Sequence, residues 1–144
     1  MAARISMVTL GVDDLARARA FYEALGWRAA PQSQESVVFL QGCNIVLGLY
    51  GRQALAEDAG IENTPLGFSG VALAINVASE SEADRLFDTA VANGASARKA
   101  PQKVFWGGYS GYFADPDGHL WEVAHNPFFA MDGDGNLRLV DEPA

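Results

Sequence analysis

Cysteine occurs once in the 144 residues, at Cys43, so no disulfide can form within the chain. A cross-linked secreted scaffold is excluded, and a reducing cytoplasm is the expected compartment. Basic residues are scarce: 10 Lys+Arg stand against 18 Asp+Glu, a formal net charge of −8. A phosphate backbone needs a basic face, so nucleic acid is not an expected partner. The acidic balance favours solubility and could attract a cationic ligand. No apolar run is long enough to span a bilayer, so a membrane is not expected either. The opening MAARISMVTLGVDD lacks the apolar stretch and cleavage site of a secretory leader. Histidine is limited to His119 and His125. G-x-S-x-G, P-loop, C-x-x-C and H-E-x-x-H signatures are all missing.

What is present is apolar material for a core. The chain is 49% hydrophobic and 19% charged, the size and balance of one globular domain. ISMVTLGV, residues 5–12, reads as a strand. Asp13 and Asp14 offer N-cap oxygens to a helix LARARAFYEAL, with Leu15, Ala18, Tyr22 and Leu25 near one face and Gly26 to end it. SVVFLQ (36–41) and NIVLGLY (44–50) read as a hairpin around Gly42-Cys43, with a further strand expected near residues 27–30. Residues 51–68 break the pattern and read as a linker with room for one helical turn at QALAEDA.

The pattern then restarts. VALAINV (71–77) reads as a strand, and Ser79 with Glu82 makes a capping box before a helix. Its apolar stripe is Ala83, Leu86, Phe87, Ala90 and Val91, and Gly94 ends it. Strands follow at 96–99, 110–114 and 119–125, the last two joined by the turn Asp115-Pro116-Asp117-Gly118. Val77 matches Val12 at an offset of 65 (77 − 12), which also sets Ile75 on Leu10 and Leu86 on Phe21. A repeat this long is no solenoid unit. It predicts two copies of one motif in one domain: module one about 4–50, linker about 51–68, module two about 69–127 and a hairpin tail about 128–144. In the tail, DGDGN suggests a calcium loop. That loop needs Gly at its sixth position and an acid at its twelfth, which from Asp132 are Leu137 and Pro143. A hairpin turn between FFAM and NLRLV is expected instead.

Few residues invite chemistry. Gly107-Gly108 suits a turn or a close backbone approach rather than a phosphate. Cys43 has no neighbour in sequence to activate it. His119 and His125 lie six apart on one strand, about 20 Å at strand rise, too far to share a metal. Glu122 differs. It stands between Trp121 and Val123 in a strand with neither face polar. A carboxylate there is either structural or solvent-facing, or it meets a cation, a metal or hydrogen-bond donors.

The opening VTLGVDDLARARAFYEALGW, the duplicated halves and the closing GYFADPDGHLWEVAHNP together resemble the glyoxalase/bleomycin-resistance/extradiol-dioxygenase family, the vicinal oxygen chelate superfamily. The resemblance covers nearly residues 4–128. It implies an α+β fold of two βαβββ modules whose mixed sheet curls around a central cavity, and a homodimer. In the family's metalloenzymes, four strand positions hold one divalent ion. Carried over, they fall on Met7, Leu47, Ala72 and Glu122, of which only Glu122 keeps a suitable ligating side chain. The resemblance therefore implies no metal and no other cofactor, although a register slip could bring Thr9 or Asn76 into play.

With that fold in hand, Met7, Thr9, Leu47, Ala72, Ala74, Asn76, Leu120 and Glu122 are expected to face the cavity. Trp106, Tyr109 and Tyr112 either line its mouth or simply pack. Burial would raise the pKa of Glu122 unless a cation or a donor stands opposite. Two functions stay open. One is a metal-independent binder of a small molecule, a cation being one candidate; the other is a lyase, isomerase or dioxygenase, of the lactoylglutathione-lyase kind, using Glu122 as base or metal ligand.

Overall fold

The computed structural model describes residues 4–64 and 67–140. Residues 65–66 of the expected linker and 141–144 of the expected tail lie outside them. The chain divides into two compact units, Met1–Val71 and Ala72–Ala144. Each unit contains a βαβββ module, so the α+β fold of two repeated modules stands.

In the first unit, β1 (Met7–Val12) leads into α1 (Leu15–Ala24), then β2 (Arg28–Ala29), β3 (Val37–Gln41) and β4 (Val46–Gly51). The sheet order is β1-β4-β3-β2, with β1 parallel to β4 and the other pairs antiparallel. Asp14 caps α1, its carboxylate accepting the Arg17 N–H at 3.0 Å. The helix ends where Gly26 takes a positive φ of 100°. The Trp27 N–H then returns to the Tyr22 carbonyl at 3.1 Å and the Gly26 N–H to Glu23 at 3.0 Å. This double closure needs a left-handed residue, which glycine adopts without Cβ strain.

The expected linker proves more ordered than its sequence suggests. Residues Arg52–Ala59 form a second helix, α2, rather than a single turn. Three alanines favour it, and the left-handed Gly60 closes it. Arg52 ties its start to the following segment, with Nε donating to Asn63 at 2.8 Å and a guanidinium N–H to the Thr64 carbonyl at 3.1 Å. Both helices pack against the strands. Leu10, Val12, Val38, Leu40, Leu47 and Leu49 are buried, as are Ala18, Phe21 and Tyr22 of α1. Phe21 and Tyr22 meet edge to face.

The second unit repeats the order with β5 (Leu73–Asn76), α3 (Glu80–Ala92), β6 (Ser96–Lys103), β7 (Tyr109–Ala114) and β8 (Leu120–His125). Its sheet runs β5-β8-β7-β6, again with the parallel pair formed by the first and last strands. The capping box is present: the Ser79 hydroxyl accepts the Glu82 N–H at 3.2 Å, and Glu82 reaches back to the Ala78 N–H at 3.0 Å. Gly94 ends α3 as Gly26 ends α1, with φ 113°. Ala83, Phe87 and Ala90 of the stripe are buried, whereas Val91 lies at its exposed rim. Phe113 packs against Phe87 and stacks on Trp121, which fixes the core between helix and sheet. β6 is longer than expected and runs along the sheet edge, with register breaks that twist it.

The tail is a hairpin. Met131 pairs with Leu137, and the Asp132 carboxylate accepts the Asp134 and Asn136 N–H groups at 2.9 Å each. Arg138 adds an ion pair at 3.1 Å. The backbone bond from Asn136, above all, holds the Asp132 carboxyl below its usual range. No helix among the described residues is long and apolar enough to cross a membrane.

Candidate functional site

Each sheet has one side packed against its module helix, α1 or α3, and a side free of that helix, which in the first unit is met at its edge by the start of α2, where Arg52 lies against Gly11; strand register decides which residues share each side. In the second unit, Leu73, Ile75, Gly111, Phe113, Trp121 and Val123 fall on the helix side. The other face carries Ala74 and Asn76 of β5, Leu120, Glu122 and Ala124 of β8, and Ser110, Tyr112 and Ala114 of β7. Glu122 sits near its middle, with Ala74 beside it on one strand and Tyr112 directly opposite on the other.

Tyr112 and Glu122 are both half-buried. The phenol donates a hydrogen bond to the carboxylate. Burial first, then the Glu122 charge and this bond, pushes the Tyr112 hydroxyl up from its ordinary value. A donor thus stands opposite the acid, one of the partners its burial calls for. Around the pair the side chains are small: Ala114, Ala124 and Ser110 are all almost fully buried. Ala72 precedes β5 by one residue and is exposed.

The pairing follows from the turn. Asp115 is nearly fully buried and holds the loop together. Its Oδ1 accepts the Asp117 N–H at 2.9 Å and the His119 N–H at 2.8 Å, while its backbone N–H reaches the His119 carbonyl. Gly118 supplies the positive φ of 89°. Ala114 then pairs with Leu120, and two steps outward Tyr112 meets Glu122. Counting outward from the turn is the signal that would have singled out Tyr112 from the other aromatics.

Three expected site residues lie elsewhere. Tyr109 pairs with His125, on the helix side. Its hydroxyl donates to Asp84 of α3 at 2.5 Å, and that bond, burial and the Asp84 charge push it up to about 12. Trp106 stands in the turn before β7, its ring lying over Gly108. Gly107 and Gly108 thus serve the turn and the close approach. His125 donates from Nδ1 to the Val77 carbonyl at 3.1 Å, a structural bond.

Leu47 is the third. In the first unit, Thr9 pairs with Gly48, and Phe39 pairs with Gly48 from the other strand. Met7, Thr9, Phe39 and Gly48 therefore share the face turned away from α1. Leu47 lies one residue off, on the helix side, buried in the core. Because side chains alternate, a slip of one residue moves a whole set to the opposite face. The position equivalent to Glu122 is Gly48, not Leu47; Tyr112 corresponds to Phe39 and Ala74 to Thr9.

The fold's metalloenzyme members imply a divalent ion. Among the described residues, no three His, Cys, Asp or Glu side chains gather where they could hold a metal ion. Around Glu122 the nearest partners across the strands are an alanine and a phenol. A closed zinc site needs four ligands and a catalytic one three, so this donor set does not fit.

Comparison with known proteins follows the same lines. The family model for the Glyoxalase/Bleomycin resistance protein/Dioxygenase superfamily matches residues 4–123. No curated protein matches. The crystal structure of a glyoxalase-related enzyme from Fulvimarina pelagi is 35% identical, with a TM-score of 0.86, over 96% of this chain and 99% of that one. A glyoxalase/bleomycin resistance protein/dioxygenase family enzyme from Burkholderia phytofirmans PsJN shares the fold at 22% identity, TM-score 0.74, over 85% and 98%. So does a lactoylglutathione lyase from Agrobacterium tumefaciens, at 23% identity and TM-score 0.64, over 87% and 95%.

Proposed function

Because the chain belongs to the Glyoxalase/Bleomycin resistance protein/Dioxygenase superfamily, we propose that it is a member with a degenerate metal site, binding a small molecule without a metal on the helix-free face of its second sheet. One observation carries the reading: Glu122 is partnered there by Tyr112 rather than by other metal-ligating side chains. An ionised carboxylate has about four acceptor positions. Tyr112 occupies one. The rest suit a ligand that brings donors or positive charge. Alanines and a leucine around the pair provide an apolar floor, the usual composition of a small-molecule site.

An acidic chain of net charge −8 favours the approach of a cation. The ligand is therefore a small, partly apolar cation or a neutral donor-rich molecule. The protein is proposed to work in the cytoplasm, with no nucleic acid or membrane as partner.

A second reading has its own support. A phenol hydrogen-bonded to a carboxylate is an acid–base pair, and the Fulvimarina relative is described as an enzyme. In that reading Glu122 takes a proton from the substrate and Tyr112 orients the carboxylate, as in a lyase or isomerase.

Metal analysis of the purified protein beside Glu122→Gln tests the main reading. It expects no stoichiometric metal in either. About one Zn, Ni, Fe or Mn per chain in the wild type, lost in the variant, would make Glu122 a metal ligand and sink the proposal.

A further inference from the structure

The face that carries Glu122 continues beyond Tyr112 onto β6. Two breaks in register decide which β6 residues share it: Lys99 pairs with Tyr112, and Gln102 with Ser110. The strand order β5-β8-β7-β6 then lays Ala74, Glu122, Tyr112 and Lys99 in one row. The row beside it is uncharged: Asn76, Ala124, Ser110 and Gln102. An acid and a base thus flank one phenol, their backbones about 10 Å apart, two strand spacings.

Lys99 is exposed, and none of the ion pairs among the described residues includes it. Lys103, four residues on, turns the other way. It pairs with Tyr109 on the helix side, and its ammonium meets Glu80 of α3 at 4.0 Å. The surroundings are basic in an acidic chain. From Thr89 to Ala114 there is no Asp or Glu, while Arg98, Lys99 and Lys103 all fall there. Edge strands often carry lysine simply to discourage pairing with another strand. Pro101 and the two register breaks already serve that end in β6. Lys99 is set apart by its register, which puts it on the face of Glu122.

We propose that Lys99 is a second anchor of the Glu122 site and that the ligand is amphoteric: a cationic group for Glu122, a carboxylate or similar anion for Lys99, and a flat apolar body between them along Tyr112. The inference rests on the Glu122 reading above and narrows its ligand to one class. A net charge of −8 disfavours anions around the protein in general, so a local cation is needed to admit one here. The flexible stem of Lys99 lets its ammonium meet an anion above the Tyr112 ring, with the modest gain of an exposed pair.

Calorimetric titration with three probes tests this: benzylamine, benzoate, and 4-(aminomethyl)benzoate, which carries both charges at opposite ends of one ring. The wild type is expected to bind 4-(aminomethyl)benzoate about fivefold more tightly than benzylamine, and benzoate most weakly. High salt should shrink the preference. Lys99→Gln is expected to erase the preference while keeping benzylamine binding; Lys99→Arg and Lys103→Gln are expected to retain it. Glu122→Gln is expected to lose both amines. Equal binding of the two amines by the wild type, or a preference that survives Lys99→Gln, would overturn the inference and leave the Glu122 reading in place. Amines held equally well by Glu122→Gln would strike the Glu122 reading and this one with it. A wild type that binds none of the three at millimolar concentration would overturn the amphoteric class.

Discussion

The two units share a topology down to the way their helices end, yet they differ where chemistry would happen. On the helix sides both are apolar: Leu10, Val12, Leu47 and Leu49 in the first, Phe113, Trp121 and Val123 in the second. On the helix-free sides, the same three register positions read Thr9, Gly48 and Phe39 in one unit and Ala74, Glu122 and Tyr112 in the other. The helix side is constrained by close packing, where a change of volume is felt at once. The other side can exchange Gly for Glu and Phe for Tyr without disturbing the ladder. Duplication has kept the scaffold twice and placed the acid–phenol pair once.

The largest effects are expected on the shared side. Phe113→Ala should lose about 3–5 kcal/mol and Leu49→Ala about 2–5 kcal/mol, read by urea unfolding. A near-neutral result at either would break the parallel between the two cores.

The helix ends come next. Gly26→Ala and Gly94→Ala place a Cβ where φ is 100° and 113°. A Cβ at Gly26 meets nothing within 4 Å, and at Gly94 only Pro116 at 3.7 Å, so backbone strain dominates. Each should cost about 1–2 kcal/mol, and nearly the same amount. A clear difference between them would show that the two terminations are not equivalent.

The helix-free faces should answer unequally. Tyr112→Phe removes the donor to Glu122 and should cost about 1 kcal/mol in thermal or urea unfolding. Phe39→Tyr adds the matching hydroxyl opposite Gly48, where no carboxylate waits, and should stabilise nothing. Equal responses would erase the distinction between the units.

The smallest effect concerns Tyr109. Its hydroxyl titrates at about 12 in the folded protein, against 10.0 ordinarily, chiefly because of its bond to Asp84. The folded state favours the protonated phenol. That stability is fully present below pH 10 and is lost as pH rises towards 12. Ultraviolet titration should show Tyr109, like Tyr112, as a late phenol, and Asp84→Asn should move Tyr109 alone earlier. An unchanged titration in that variant would remove Asp84 as the cause.

Much of this was legible in the sequence, for physical reasons. Caps, left-handed glycines and the Asp-Pro-Asp-Gly turn act locally, so Asp14, Ser79, Gly26, Gly94 and Gly118 announce their elements. Helix α2 was harder to read, because two turns rich in alanine show little amphipathic pattern between segments rich in glycine and polar residues. Leu47 was misplaced because residues 45–50 are apolar on both faces, leaving alternation nothing to mark. Glycine at position 48 hid the true equivalent of Glu122. Tyr109 and Tyr112 differ by an odd number of residues, so they face opposite ways, and only the register set by the turn tells which one meets Glu122.

The central claim is that the Glu122–Tyr112 pair binds a ligand without a metal. It is tested most directly by thermal shift of metal-stripped wild type and Glu122→Gln against a panel of small organic cations. At least one compound should raise the wild-type Tm with no metal present, and leave the variant unmoved. A shift that appears only after a divalent ion is restored, or one that survives in Glu122→Gln, would contradict the account.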